Sequence, residues 1–138
     1  MEQKLEKKLV DKYPLLFKDY HGSPTQTALA FGFECGNGWY NIIDNLGSKL
    51  EPLIKLFILE HDEEEIYPTA FQVKEKFGGL RFYMTTSTDE MDKLVDLAEE
   101  ESYKTCEQCG TKDNVNTNNE GWMVTLCDKC RNKSGGLG

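Results

Sequence analysis

VKEKFGGLRFY, residues 73–83, decides how this chain is read. A Gly-Gly pair sits between two runs of strand character, and a two-residue glycine loop is a strong hairpin signal. Residues 69–76 and 80–86 are therefore expected to pair as antiparallel strands. With Gly78-Gly79 as the loop, Lys76 faces Arg81, Glu75 faces Phe82, Lys74 faces Tyr83, Val73 faces Met84 and Phe71 faces Thr86. Residues two apart share a face of a strand. One face then carries Phe71, Val73, Phe77, Leu80, Phe82 and Met84, with Glu75 intruding, and reads as a core face. The other carries Gln72, Lys74, Lys76, Arg81, Tyr83 and Thr85.

That second face is cationic in a protein with 24 acidic and 16 basic residues and a formal net charge of -8. Like charges directly opposed across strands destabilise a bare sheet. Either an acidic side chain of the chain itself compensates, or an external anion does. Arg81 can clamp an anion with two parallel bonds, Lys74 and Lys76 act as point charges, and Tyr83 can stack or hydrogen-bond. Glu75, on the apolar face, must be paired or lie near an edge, or it orients a ligand group.

Outward from the hairpin, helical spacing appears on both sides. Residues 2–12 place Leu5, Leu9 and Val10 on one face, with Pro14 beyond the end. Ile42, Ile43, Leu46, Leu50, Leu53, Ile54 and Phe57 follow the same period, and Pro52 is expected to kink that helix or to start a second one. Ser87 with Glu90 resembles a capping box opening a third helix, with Met91, Leu94, Val95 and Ala98 inward, that runs to about Tyr103. Residues 28–34 alternate weakly and are expected as a strand with Phe31 and Phe33 on one side. The acidic run 62–65 reads as solvated surface. GNGWY, residues 36–40, reads as a helix start with Trp39 as an anchor. Asn37 as a cap and the first helical N–H groups offer an alternative anion site.

Five cysteines complete the pattern. Cys106, Cys109, Cys127 and Cys130 form two C-x2-C pairs 17 residues apart, the spacing of a four-thiolate zinc site. All four positions being protein ligands, the expected zinc is structural rather than catalytic. The competing readings are two disulfides or a redox pair, and a redox pair stands alone near a βαβ pattern, not as a matched duplicate. Residues 121–126 read as a strand into the second knuckle, with Trp122 or Leu126 placed to cover the metal. Cys35 is left over and reads as a free thiol in or near the core.

The expected fold class is α+β: a small antiparallel sheet containing the Gly-Gly hairpin, packed on helices, with a C-terminal zinc-ribbon-like unit. The expected division is a core domain over 1–103, a zinc-binding unit over 104–131 and a flexible tail over 132–138. Seven Phe, six Tyr and two Trp can furnish the core. Net acidity argues against generic nucleic-acid binding, which depends on cations replacing phosphate counterions. Residues 104–138 carry five cations and four acids; four thiolates and one zinc leave about -1, a poor balance for a nucleic-acid finger. The N-terminal stretch has no apolar run of signal length, so the expected location is the cytoplasm. His21 and His61 sit in no catalytic motif, and no spacing singles out Glu34, Asp44 or Glu75 as acid or base, so no catalytic residue is assigned.

GNGWY, QVKEKFGGLRFY, TCEQCG and GWMVTLCDKC together resemble a family of small uncharacterised proteins of phages, prophages and some bacteria. The resemblance covers roughly residues 35–131, and KFGGLRFY is its most distinctive piece. It implies a phage or mobile-element setting, the host cytoplasm as location, and a small acidic protein that binds and neutralises a host factor. The leading expectation is therefore a non-catalytic binding protein. It engages a host protein or a small nucleotide-like anion through Lys74, Glu75, Lys76, Arg81 and Tyr83, with Asn37 and Trp39, and can serve counter-defence. The alternatives are a nucleic-acid-binding zinc finger and an enzyme acting on a phosphorylated substrate.

Overall fold

The computed structural model describes residues 1–61 and 66–133; the acidic run 62–65 and most of the expected tail lie outside them. The chain is α+β. Helix α1 (Gln3–Lys12) leads through a 3-10 turn (Lys18–His21) and a second one (Ala28–Phe31) to a third (Asn37–Trp39). Helix α2 (Tyr40–Glu60) follows, then the antiparallel pair β1 (Ala70–Lys76) and β2 (Gly79–Met84), and then α3 (Asp89–Ser102). A second small sheet, β3 (Val115–Thr117) with β4 (Thr125–Cys127), and α4 (Asp128–Lys133) complete it. None of the described helices is long and apolar enough to cross a membrane.

One apolar cluster joins α1, α2, the hairpin and α3. Leu9, Leu16, Phe17, Leu29, Ile43, Leu50, Ile54, Val73, Leu80 and Met91 are almost fully buried in it. Side chains of this size each stabilise the fold by about 1.5–3 kcal/mol when removed from water. Glu51 of α2 is buried beside them, in a role that no local pattern signals. Its carboxylate accepts the amides of Leu15 and Leu16 at 3.1 and 2.8 Å, tying the loop after α1 to α2.

Several local expectations need correction. Residues 28–34 are not a strand. They begin as a 3-10 turn in which the Thr27 hydroxyl accepts the Leu29 amide, and Phe31 is exposed while Phe33 is buried. Only Glu34 keeps strand character, as a parallel bridge to Lys74. Helix α2 continues through Pro52, whose ring sits on the exposed side. The cap of α3 is Thr88, whose hydroxyl accepts the Met91 amide, not Ser87, which donates to Asp92.

The hairpin exists, one residue earlier than expected. Phe77 (φ 54°) and Gly78 (φ 84°) form the loop, both in the left-handed region that two-residue hairpin turns require. Gly79 is instead the first residue of β2, where a Cβ would collide with the Tyr103 ring. Every cross-strand pair therefore shifts by two: Lys74 lies opposite Arg81, Glu75 opposite Leu80, Val73 opposite Phe82 and Gln72 opposite Tyr83. Because a shift of two preserves the face, Val73, Leu80 and Phe82 still point to the core and Lys74, Lys76, Arg81 and Tyr83 away from it. Phe77 leaves the core face for the exposed tip, and a bulge between Ala70 and Gln72 turns Phe71 partly outward.

Candidate metal centre and hairpin face

The two C-x2-C segments meet. The sulfurs of Cys106, Cys109, Cys127 and Cys130 all lie within 4.8 Å of one another, with Cys109 and Cys127 3.7 Å apart. Four thiolates around one zinc at about 2.3 Å place sulfurs about 3.8 Å apart at the edges of a tetrahedron, so the spacing suits that geometry. Each pair is a knuckle. The Cys109 amide points at Cys106 Sγ at 3.5 Å, and the Cys130 amide at Cys127 Sγ at 3.4 Å. Gly110 (φ 83°) turns the first knuckle back so that its N–H reaches the Cys106 carbonyl at 2.9 Å. The second knuckle runs from β4 straight into α4.

Burial opposes ionisation of Cys106, but the surrounding amides of Cys109, Cys127 and Gln108 outweigh it and bring the thiol down to about 7. Burial and the neighbouring cysteines push Cys130 up to about 12. Crowded sulfurs thus resist becoming anions together unless a cation sits among them. The cluster can hold a metal ion, and its all-sulfur donor set is the one structural zinc takes. Leu126 and Val115 pack on the cysteines, whereas Trp122, expected as a possible cover, is 80% exposed on the loop before β4. Only residues 125 and 126 of the expected 121–126 strand are extended, within β4, and Gly121 (φ 67°) turns the loop ahead of them.

The structure gives GNGWY a task that the sequence did not reveal: it seats the first knuckle. The Gly38 amide donates to the Glu107 carbonyl at 2.7 Å and the Gly36 amide to Glu107 Oε2 at 2.9 Å. A Cβ at Gly38 would collide with the Cys106 carbonyl oxygen, and one at Gly36 with that of Glu107. Trp39 is fully buried and its indole N–H donates to the Thr105 carbonyl at 3.0 Å. Of its two expected roles, Trp39 therefore takes that of core anchor. Asn37 caps no helix; its Oδ1 accepts the Glu2 amide at 2.8 Å.

The hairpin tip is the second seat. Thr125 donates its hydroxyl to the Gly78 carbonyl, and a Cβ on Gly78 would meet the Thr117 methyl group. At the end of α3, Lys112 pairs with Glu101 at 2.7 Å across the junction. The metal-binding unit is thus clasped by the 36–39 loop, the 77–79 turn and the end of α3. Cys35, next to this seam, is a buried thiol pushed up to about 12 by burial and then by the Glu107 charge, in keeping with a free core cysteine.

On the outer hairpin face, the cations separate into two kinds. Arg81 is bound internally: its Nη1 lies 2.6 Å from Glu99 Oε2 of α3. Burial lowers its pKa, but the bond to Glu99 and the nearby Tyr103 oxygen outweigh that and raise it. Lys74 and Lys76 form no ion pair among the described residues; Lys76 lies over the Phe77 ring at 5.5 Å. Tyr83 is 42% exposed. Glu75 resolves without a ligand, since its Oε2 accepts the Gly78 amide at 2.7 Å and steadies the turn.

No family model matches this sequence, and neither a curated protein nor a solved structure matches it.

Proposed function

We propose that this chain is a non-catalytic binding protein, held in shape by a structural zinc ion, that recognises an acidic surface of a protein partner through the outer hairpin face. The observation that carries the reading is the division of the cations. Glu99 neutralises Arg81, while Lys74 and Lys76, on the same face beside the exposed Tyr83, form no ion pair among the described residues. Four cavities of the described residues open elsewhere, and Lys74, Lys76 and Tyr83 line none of them. A ribbon face of this kind suits a protein surface better than a small nucleotide, which needs concave walls. In the phage setting that the resemblance implies, the partner is a host protein and the outcome counter-defence.

The test compares the wild-type chain with Lys74→Glu/Lys76→Glu against a partner captured from the natural host and then purified. The double variant keeps its fold and loses binding by about tenfold or more, while Lys93→Glu on exposed α3 binds as wild type. Equal binding by the double variant overturns the proposal. Steeply salt-dependent retardation of an oligonucleotide, abolished by the same variant, replaces the protein partner with nucleic acid.

A further inference from the structure

At the seam between the first knuckle and the 36–37 loop lies a cavity of about 380 Å³, within the range of small-ligand sites. Its walls come from both parts of the molecule. Gly36, Asn37, Met1 and Glu2 belong to the body; Glu107, Gln108, Val124 and Leu126 belong to the metal-binding unit. We propose that this cavity is a docking site for a lysine or arginine side chain carried by a basic segment of a partner protein.

The lining is complementary to such a side chain along its whole length. Val124 and Leu126 offer an apolar wall to the methylene stem, and Asn37 and Gln108 offer amide oxygens. The charged end meets carboxylates: Glu107 and Glu2 both line the cavity, with no lysine or arginine among the lining residues. Glu107 is only partly satisfied from within. One oxygen accepts the Gly36 amide at 2.9 Å. The Met1 ammonium, also at the cavity, donates its hydrogen bonds to the Phe33 and Cys35 carbonyls, and Glu107 forms no ion pair among the described residues. An incoming cation meets a carboxylate in want of a counter-charge.

An independent feature of the same unit points the same way. Trp122, two residues before Val124, is 80% exposed on a loop fixed by one side chain. Asn118 Nδ2 donates to the Glu120 and Trp122 carbonyls at 2.7 and 2.8 Å, and its Oδ1 accepts the Val124 amide at 2.7 Å. A large aromatic held ready in solvent is the usual anchor of an interface, and its face attracts guanidinium and ammonium groups. The site is separate from Lys74, Lys76 and Tyr83, so it stands or falls independently of the hairpin face.

The test titrates the zinc-loaded full chain with a tetra-arginine peptide and, as control, a tetra-glutamate peptide, followed by amide NMR shifts. Saturable shifts at Gly36, Gln108, Val124 and Leu126 with the basic peptide alone are expected. Glu107→Gln, which keeps an acceptor for the Gly36 amide, weakens the binding about tenfold, and Glu100→Gln on exposed α3 leaves it unchanged. Absent shifts at those amides overturn the proposal, as does equal weakening by Glu100→Gln, the sign of diffuse attraction to an acidic protein. If Glu107→Gln loosens the seat, Glu2→Gln decides: binding about threefold weaker supports the site, and wild-type binding overturns it.

Discussion

The body and the metal-binding unit are held together by different physics. From Leu9 to Ala98, one continuous apolar cluster spans three helices and the hairpin. In the 104–133 segment the buried cluster is Cys106, Cys127 and Cys130, with Val115 and Leu126 alongside. That is little apolar surface for a chain of this length, and on the proposed reading metal coordination supplies what burial does not. The body is therefore expected to stand without the unit, and the unit to need both a metal ion and the body's glycine-lined seat.

Removing the metal should separate the two most sharply. Chelation, or Cys106→Ser, is expected to abolish native structure over residues 104–133, since structural zinc contributes on the order of 10 kcal/mol or more to such units. Hydrogen exchange should show the 36–39 loop and the 77–79 turn losing protection as well, while α1 and α2 keep theirs. Elemental analysis should find one zinc per chain. Protection over 104–133 that survives chelation would mean that apolar contacts suffice there, and the contrast would fail.

A smaller effect tests the seat itself. In Gly38→Ala the new methyl group strikes the Cys106 carbonyl oxygen, in a backbone that has no room to move without tilting the knuckle. A loss of about 3 kcal/mol in denaturant stability of the zinc-loaded chain is expected. The body's own midpoint in chelated protein should not change, because the collision vanishes when the knuckle leaves. Equal losses with and without metal would refute the clasp.

The smallest effect is confined to the body and concerns pH. Burial raises the Asp44 carboxyl, but bonds from Lys12 Nζ at 2.7 Å and the Tyr13 hydroxyl at 2.6 Å outweigh this and lower it. A folded-state value below the unfolded one stabilises at neutral pH and is lost as pH falls through it, so this contribution fades below about pH 4. Tyr13 moves the other way, up to about 12 through burial and then its bond to Asp44. Its contribution is complete below about pH 10 and is lost as pH rises toward 12. Thermal melts of chelated protein should show both limbs, and Tyr13→Phe should flatten the alkaline one.

What could be read in advance depended on the range of the interactions. The cysteine spacing and the helical periods of Ile42–Ile54 and Met91–Ala98 are local patterns, and each reappears in the fold. The hairpin faces were legible because alternation survives a shift of two, while the register was not: Phe77 accepts a left-handed backbone that side chains usually avoid. Gly79 is kept small by Tyr103, 24 residues further on. GNGWY reads locally as a helix start with an anion site as the alternative; its seating role is invisible there because its counterpart, Glu107, lies some 70 residues away and leaves no mark on local spacing. Arg81 could not be assigned to Glu99 for the same reason; strand patterns do not say which acid of which helix will arrive.

Both rims of the β1–β2 ribbon are already engaged. On one, Glu34 exchanges main-chain bonds with Val73 and Glu75 at 2.9 Å; on the other, the Leu80 amide is taken by the Ser102 hydroxyl at 2.9 Å. The Val73 carbonyl and the Glu75 and Leu80 amides are therefore not free to template an incoming extended peptide, which hinders β-augmentation and edge-to-edge self-association at those groups. A partner that meets the ribbon at those groups must read its side chains instead.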